Sequence, residues 1–216
     1  MSIWNTWLEL MQGLLNTLSS GVGMGLAIVL ATLLLRSAIL PISWSIGYRG
    51  CVRQKKMSRL QPELQALKDR YAKQPDLYMK QLQALYGRHG LTFVDGKSLF
   101  GSLFQMPVLL GMFQSLKNFG DGVSFLWVRN LLKPDLALAL VAGVTTALMM
   151  SANPDLPEQM RAIMILVPSI IAVVVALKFC SALSVYWVTS NCFSAIQTVA
   201  VHAIVRRRIR TGALKI

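Results

Sequence analysis

Acidic residues are scarce in this chain: nine Asp and Glu stand against 22 Lys and Arg in 216 residues, a formal net charge of +13. Charge of either sign is thin as well, at 14% of residues, where a soluble domain carries about 25%. Too few charges remain to clothe a water-facing surface, and length leaves no room for a separate soluble domain. Cysteine is limited to Cys51, Cys180 and Cys192. They are odd in number, scattered and without CxxC spacing, so no disulfide framework or metal site follows from them. The two histidines, His89 and His202, have no ligand-like neighbours in the sequence. No Gly-rich phosphate-binding motif occurs. Neither a cofactor nor an enzymatic activity is expected.

What the chain has instead is long runs free of Asp, Glu, Lys and Arg: Leu10 to Leu35, Ser98 to Leu116, Leu136 to Pro154, Ala162 to Leu177 and Phe179 to Val205. A helix needs about 20 apolar residues to cross the hydrocarbon core. Lipid offers backbone groups no partners, so each such run must be helical. The pattern predicts an all-α polytopic membrane protein in one domain, with spans over 22–47, 98–117, 135–153, 161–178 and 182–205. The first run begins earlier than a span requires. Trp4, Trp7, Leu8, Met11, Leu14, Leu15 and Leu18 share one helical face while Asn5, Glu9, Gln12 and Asn16 lie off it. Residues 3–18 therefore read as an amphipathic interfacial helix, with the alternative that they extend the first span. No Lys or Arg precedes Arg36, so this start lacks the basic region of a secretory signal.

Eleven Lys and Arg fall between residues 48 and 98, one more is Arg161, and five lie in the 206–216 tail. Basic residues favour the cytoplasmic side, which predicts an outside N-terminus, a cytoplasmic C-terminus and an outer loop over 118–134. Within 48–97, Leu60, Leu64, Leu67 and Tyr71 recur at helical spacing, as do Met79, Leu82 and Tyr86, around a turn at Lys73-Gln-Pro-Asp76. Two amphipathic helices joined in this way form a cytoplasmic hairpin. Pro62 suits a first helical turn. The hairpin's basic charge suits anionic lipid headgroups, a ribosome or an emerging substrate, or only solvates a spacer. The distribution favours a bilayer, and no specific nucleic acid is expected as a partner.

Arg36 follows Leu33-Leu-Leu35 inside the first span. A charge at bilayer depth costs about 2.5–3.5 kcal/mol on insertion scales, and no carboxylate lies in any of the charge-free runs to pair with it. Either the side chain snorkels to the cytoplasmic interface, or it faces water inside the bundle and awaits a visiting acidic group. Ser102, Gln105, Gln114, Thr145, Thr146, Ser190, Asn191 and Gln197 are candidates to line such a wet cavity. Each taken singly serves equally well as helix–helix glue. Pro107 and Pro168 would bend their helices and open space.

These residues also resemble, in order, the motifs of the YidC/Oxa/Alb family of membrane protein insertases. Leu35-Arg-Ser-Ala-Ile-Leu-Pro41 is similar to its first core span, and Leu60-Gln-Pro-Glu63 with Leu67, Lys68 and Tyr71 to its cytoplasmic hairpin. Leu103-Phe-Gln-Met-Pro-Val108 resembles the start of its second core span. Phe125-Leu-Trp127 with Pro134-Asp135 resembles its outer loop, and Val185-Tyr-Trp-Val188 with Asn191 and Gln197 its final span. The resemblance implies five helices around a hydrophilic groove open to cytoplasm and lipid, with Arg36, Gln105, Thr146, Trp187 and Asn191 lining it. It further implies nascent membrane proteins as substrates in the inner membrane, with the Sec translocon and the ribosome as candidate partners. Arg129-Asn130 departs from that pattern, in which an acidic residue is usual near the tryptophan.

Three other readings carry different signatures. A small-solute transporter or channel normally shows inverted repeats or broken helices in matching halves, and five unequal spans show neither. An intramembrane enzyme needs a nucleophile–base pair or metal ligands at depth, and the charge-free runs hold no carboxylate or Lys base. An assembly chaperone without insertion activity would not depend on a charge in the groove.

Overall fold

A computed structural model of the chain describes residues 3–91, 107, 110–111, 114–115 and 123–214. The stretch expected as the second span, 98–117, falls outside the described residues except for Pro107, Leu110, Gly111, Gln114 and Ser115, and Gln105 and Ser102 fall outside with it. The described residues are helical: α1 (Ile3–Val22), α2 (Met24–Ala38), α3 (Leu40–Arg59), α4 (Gln61–Arg70), α5 (Pro75–Arg88), α6 (Leu136–Ser151), α7 (Glu158–Lys178) and α8 (Ser181–Arg210).

Helices α7 and α8 are long and apolar enough to cross a membrane, and α2 with α3 makes a third such element, bent by 65°. α6 is equally apolar but only 16 residues long. The bend between α2 and α3 sits at Ile39, two residues before Pro41. Proline lacks the N–H that would bond back to Ser37, and its ring crowds that carbonyl, so the helix breaks there. Thus the 22–47 stretch is two helices meeting at an angle. Pro168, by contrast, lies inside an unbroken α7. Gly23 separates α1 from α2 with φ 79°, a conformation that costs glycine little and other residues much.

α8 is the central element. It packs on α6, α2 and α3, while α6 packs on α7 and α2 on α1. Gly143 on α6 permits the close approach of α7, since a Cβ there would lie 2.4 Å from Val173 Cγ2. One apolar cluster gathers Leu15, Met24, Ile28, Ala31, Val128, Leu131 and Leu138 around Ala182, Leu183, Val185 and Tyr186 at the start of α8. A second joins Cys51 to Val201 and Val205 near its end, with Trp44 and Tyr48 against them. Met11 and Leu15 turn the apolar stripe of α1 inward, at 4% and 0% exposure, and Leu15 joins the first cluster. The stripe is therefore covered by protein at these two positions, while Leu10 remains exposed.

The outward faces are as apolar as the core. Leu136, Leu140, Val144 and Leu148 recur every four residues along α6, and Ile163, Leu166, Val167, Ile170, Ile171 and Val174 cover α7, all largely exposed. Such a surface exceeds what a soluble monomer leaves in water. Lipid is the solvent that suits it.

α4 and α5 are joined through Tyr71–Gln74 and touch each other. Pro62 and Pro75 both occupy first helical turns. Leu60, Leu82 and Leu85 are buried, whereas Met79 is exposed.

Before α6, Phe125 and Val128 exchange backbone hydrogen bonds around a tight turn that leaves Leu126 with φ 52°. Asp135 then caps α6, its Oδ1 accepting from Leu138 N at 2.8 Å and from Trp127 Nε1 at 3.2 Å. Losing such a cap costs about 1 kcal/mol. Asp135→Ala should therefore lower the thermal unfolding midpoint measured in detergent, while Trp127→Phe, which keeps the cap, should lower it less.

A polar seam between α2, α3 and α8

Between its two apolar clusters α8 carries polar side chains, and these meet polar groups from α2 and α3. Arg36, in the last turn of α2, donates from Nη2 to Ser190 Oγ on α8. Tyr186, one turn earlier on α8 and 2% exposed, is hydrogen-bonded to the same Ser190 and lies within electrostatic reach of the guanidinium. The side chain thus points across to α8 and is half-buried. Ser190 lies nine residues into α8, about 14 Å along its axis at about 1.5 Å per residue. No carboxylate pairs with Arg36 among the described residues.

Beyond the bend the seam continues. Gln197 Nε2 donates to Ser43 Oγ at 3.3 Å, and Ser43 donates to Leu40 O at 3.1 Å. One further turn on, a cavity of about 220 Å³ opens between α3, α8 and the α6–α7 turn, lined by Gly47, Gly50, Cys51, Gln54, Asn153, Gln197 and His202, among others. Gln54 donates to Asp155 O at 2.9 Å and accepts from Asn153 Nδ2 at 3.2 Å. Lys55 pairs with the Asp155 carboxylate. The two small residues, Gly47 and Gly50, keep α3 from filling the cavity. The sequence spacing of α3 explains its part of the alignment: Ser43, Gly47 and Gln54 recur at intervals of four and seven residues, close to whole helical turns.

Thr146 and Asn191 are brought together, but on the other side of α8. Asn191 Nδ2 donates to Thr146 Oγ1 at 2.8 Å, and Thr146 donates to Ala142 O at 2.7 Å. Both residues are buried, at 7% and 5% exposure, and the pair ties α8 to α6. Trp187 is half-buried on α8, next to Tyr186. Thr145 turns its hydroxyl to Ala142 O, and Gln114 is exposed. Sequence reasoning did not single out Tyr186, Gln54, Asn153 or Asp155 as site residues. Tyr186 stood inside a motif that suggested it. The other three had no signal, because about 100 residues separate Gln54 from Asn153 and Asp155.

Residues 15–208 match the family model described as 60Kd inner membrane protein. The chain is 36% identical to the membrane protein insertase MisCA of Bacillus subtilis over 190 residues, covering 83% of this chain and 70% of that protein. It is 36% identical to the membrane protein insertase YidC 1 of Halalkalibacterium halodurans, covering 81% and 68%. With the membrane protein insertase YidC of Clostridium tetani it shares 31% identity, covering 81% and 80%.

The Thr146–Asn191 bond yields a quantitative expectation. Interhelical hydrogen bonds in membrane proteins average about 0.6 kcal/mol by double-mutant cycles. A cycle of Thr146→Val and Asn191→Leu, followed by denaturant unfolding in mixed micelles, should return a coupling of roughly that size.

Proposed function

Because the chain belongs to the 60Kd inner membrane protein family, that of the YidC and MisCA insertases, we propose that it inserts proteins into the inner membrane along the seam between α2, α3 and α8. The observation that carries this reading is the setting of Arg36. Its permanent charge is held between helices by the Ser190 hydroxyl, with the Tyr186 side chain close by, and a hydroxyl orients a guanidinium without neutralising it. A carboxylate on an incoming segment completes the pairing. The approach offsets part of the roughly 2.5–3.5 kcal/mol that a charge at bilayer depth costs.

In this reading the chain crosses the bilayer five times, through α2–α3, residues 98–117, α6, α7 and α8, with its N-terminus outside and its C-terminus in the cytoplasm. Seventeen of the 22 Lys and Arg then lie in cytoplasmic segments, which supports the orientation. The cavity lined by Gln54, Asn153, Gln197 and His202 forms the cytoplasmic mouth of the seam. The α4–α5 pair stands beside that mouth as the first contact for nascent chains, anionic lipid, the ribosome or a Sec translocon. Gln105 and Trp187 complete the lining. Sixteen residues carry α6 only about 24 Å, short of the roughly 30 Å hydrocarbon core, so the bilayer thins beside it. A polar substrate tail crosses a shortened barrier, and the substrate's own apolar helix then partitions into lipid, which drives the reaction without nucleotide.

Proteoliposomes holding the purified chain provide the test. A single-span substrate with an acidic translocated tail should insert, and Arg36→Ala should lower its yield roughly tenfold, the equivalent of about 1.4 kcal/mol. Arg36→Lys should restore part of that yield, and a substrate with a neutral tail should be affected far less. Equal loss for both tails would remove the role of the charge. Flux of small solutes with no insertion would favour a transporter.

A further inference from the structure

Cys51, Asp155 and His202, which no sequence spacing relates, converge beside the cavity at the cytoplasmic end of the bundle. Their ligand atoms all lie within 4.8 Å of one another. They come from three separate elements: α3 beyond its bend, the turn between α6 and α7, and the last third of α8. His202 Nδ1 lies 2.9 Å from Thr198 O. A carbonyl only accepts, so Nδ1 carries the proton, and in the neutral ring Nε2 presents a lone pair. That lone pair faces Asp155 Oδ2 at 3.6 Å. Neither Oδ2 nor Nε2 has a hydrogen-bond partner among the described residues, although both atoms are shielded from solvent. Lys55 occupies the other carboxylate oxygen, Oδ1. Cys51, at 3% exposure, brings its sulfur to the same place. Three electron-pair donors are thus gathered in a buried space with no donor hydrogen between two of them. Burying unpaired polar atoms in this way is costly.

We propose that Cys51, Asp155 and His202 form a binding site for a divalent transition-metal ion of the zinc class. Thiolate, imidazole and carboxylate together are the donor set of such an ion, and a thiolate with a carboxylate balances its charge. Donors around a tetrahedral ion sit roughly 3.4–3.8 Å apart at ordinary bond lengths. The Oδ2–Nε2 separation of 3.6 Å already fits, and the sulfur, within 4.8 Å of both, closes by no more than about 1.4 Å. The Nδ1–H to Thr198 contact is the kind of outer hydrogen bond that fixes a metal-binding imidazole. The adjoining cavity of about 220 Å³ supplies an entry path and room for a water as fourth ligand. Bound there, the ion ties α3, the α6–α7 turn and α8 into one unit at the mouth of the seam. The rival account of the same atoms is an imidazolium–carboxylate pair, in which a proton takes the place of the metal.

The full-length protein, purified in detergent, stripped with chelator and kept reduced, is titrated with Co²⁺ and then with Zn²⁺. One Co²⁺ per chain should bind, with a thiolate-to-cobalt charge-transfer band that Zn²⁺ abolishes. Cys51→Ser should remove that band. His202→Gln should weaken binding at least roughly tenfold, on the scale of lost metal contacts. Cys192→Ser, which alters an exposed thiol, should leave both unchanged. Absence of a charge-transfer band in the wild-type protein would overturn the site in favour of the protonated pair, as would a band that survives Cys51→Ser. Because the readout is metal uptake, its failure is separate from any failure of insertion.

Discussion

A guanidinium that cannot lose its proton, placed well inside an apolar-coated helix bundle, is the constraint that the remaining structure answers. Arg36 sits at the end of α2 and must be solvated by protein, and the hydroxyl that accepts from it, Ser190, comes from α8, with Tyr186 one turn away. For this to happen α2 and α8 must pack side by side. The first apolar cluster secures that contact on one side of the charge: Ile28 and Ala31 of α2 are fully buried near Leu183 and Tyr186 of α8. The Pro41 bend then lets the chain beyond Arg36 turn while α3 stays against α8, where Cys51 meets Val201 and Val205. Two dry contacts therefore bracket a polar interval, and the same helix pair serves both.

The chemistry of that interval changes along its length. Near Arg36 the partner is a hydroxyl, so the positive charge keeps its reach. At the far end a carboxylate is present, and Asp155 is engaged by Lys55 and faces His202. An acidic residue beside Arg36 would have produced a buried ion pair, which costs desolvation and leaves little charge to attract anything else. Separating the two ends by about 18 Å of α8, from Ser190 to His202, leaves Arg36 without a carboxylate among the described residues while Asp155 is engaged with Gln54, Asn153 and Lys55. Between their ends the outward faces of α6 and α7 are apolar, and the polar contacts described lie where α8 meets α2, α3 and α6.

Much of the site's composition was visible before its geometry. Arg36 stood out because a lone charge among leucines carries a physical cost that must be met, and Thr146, Asn191, Ser190 and Gln197 stood out as polar groups in charge-free runs. Their grouping did not. Ser190 and Asn191 are neighbours in the chain yet point about 100° apart around α8, so one meets Arg36 and the other meets Thr146 on α6. Proline was equally ambiguous. Pro41 breaks its helix while Pro168 lies within one, and only the packing of neighbouring helices distinguishes the two.

By itself the amino-acid order determined that the chain is helical, which segments are apolar enough to face lipid, and that a single arginine is placed among them. These are consequences of local composition and period, since a lipid environment leaves a polar backbone few options. The convergence of Cys51, Asp155 and His202, the cavity beside them and the choice of the Ser190 hydroxyl as partner for Arg36 were decided by tertiary structure alone. Each depends on the rotation of α8 about its own axis and on a turn more than 100 residues from Cys51. Both are set by the summed packing of α2, α3 and α6, which no local window contains.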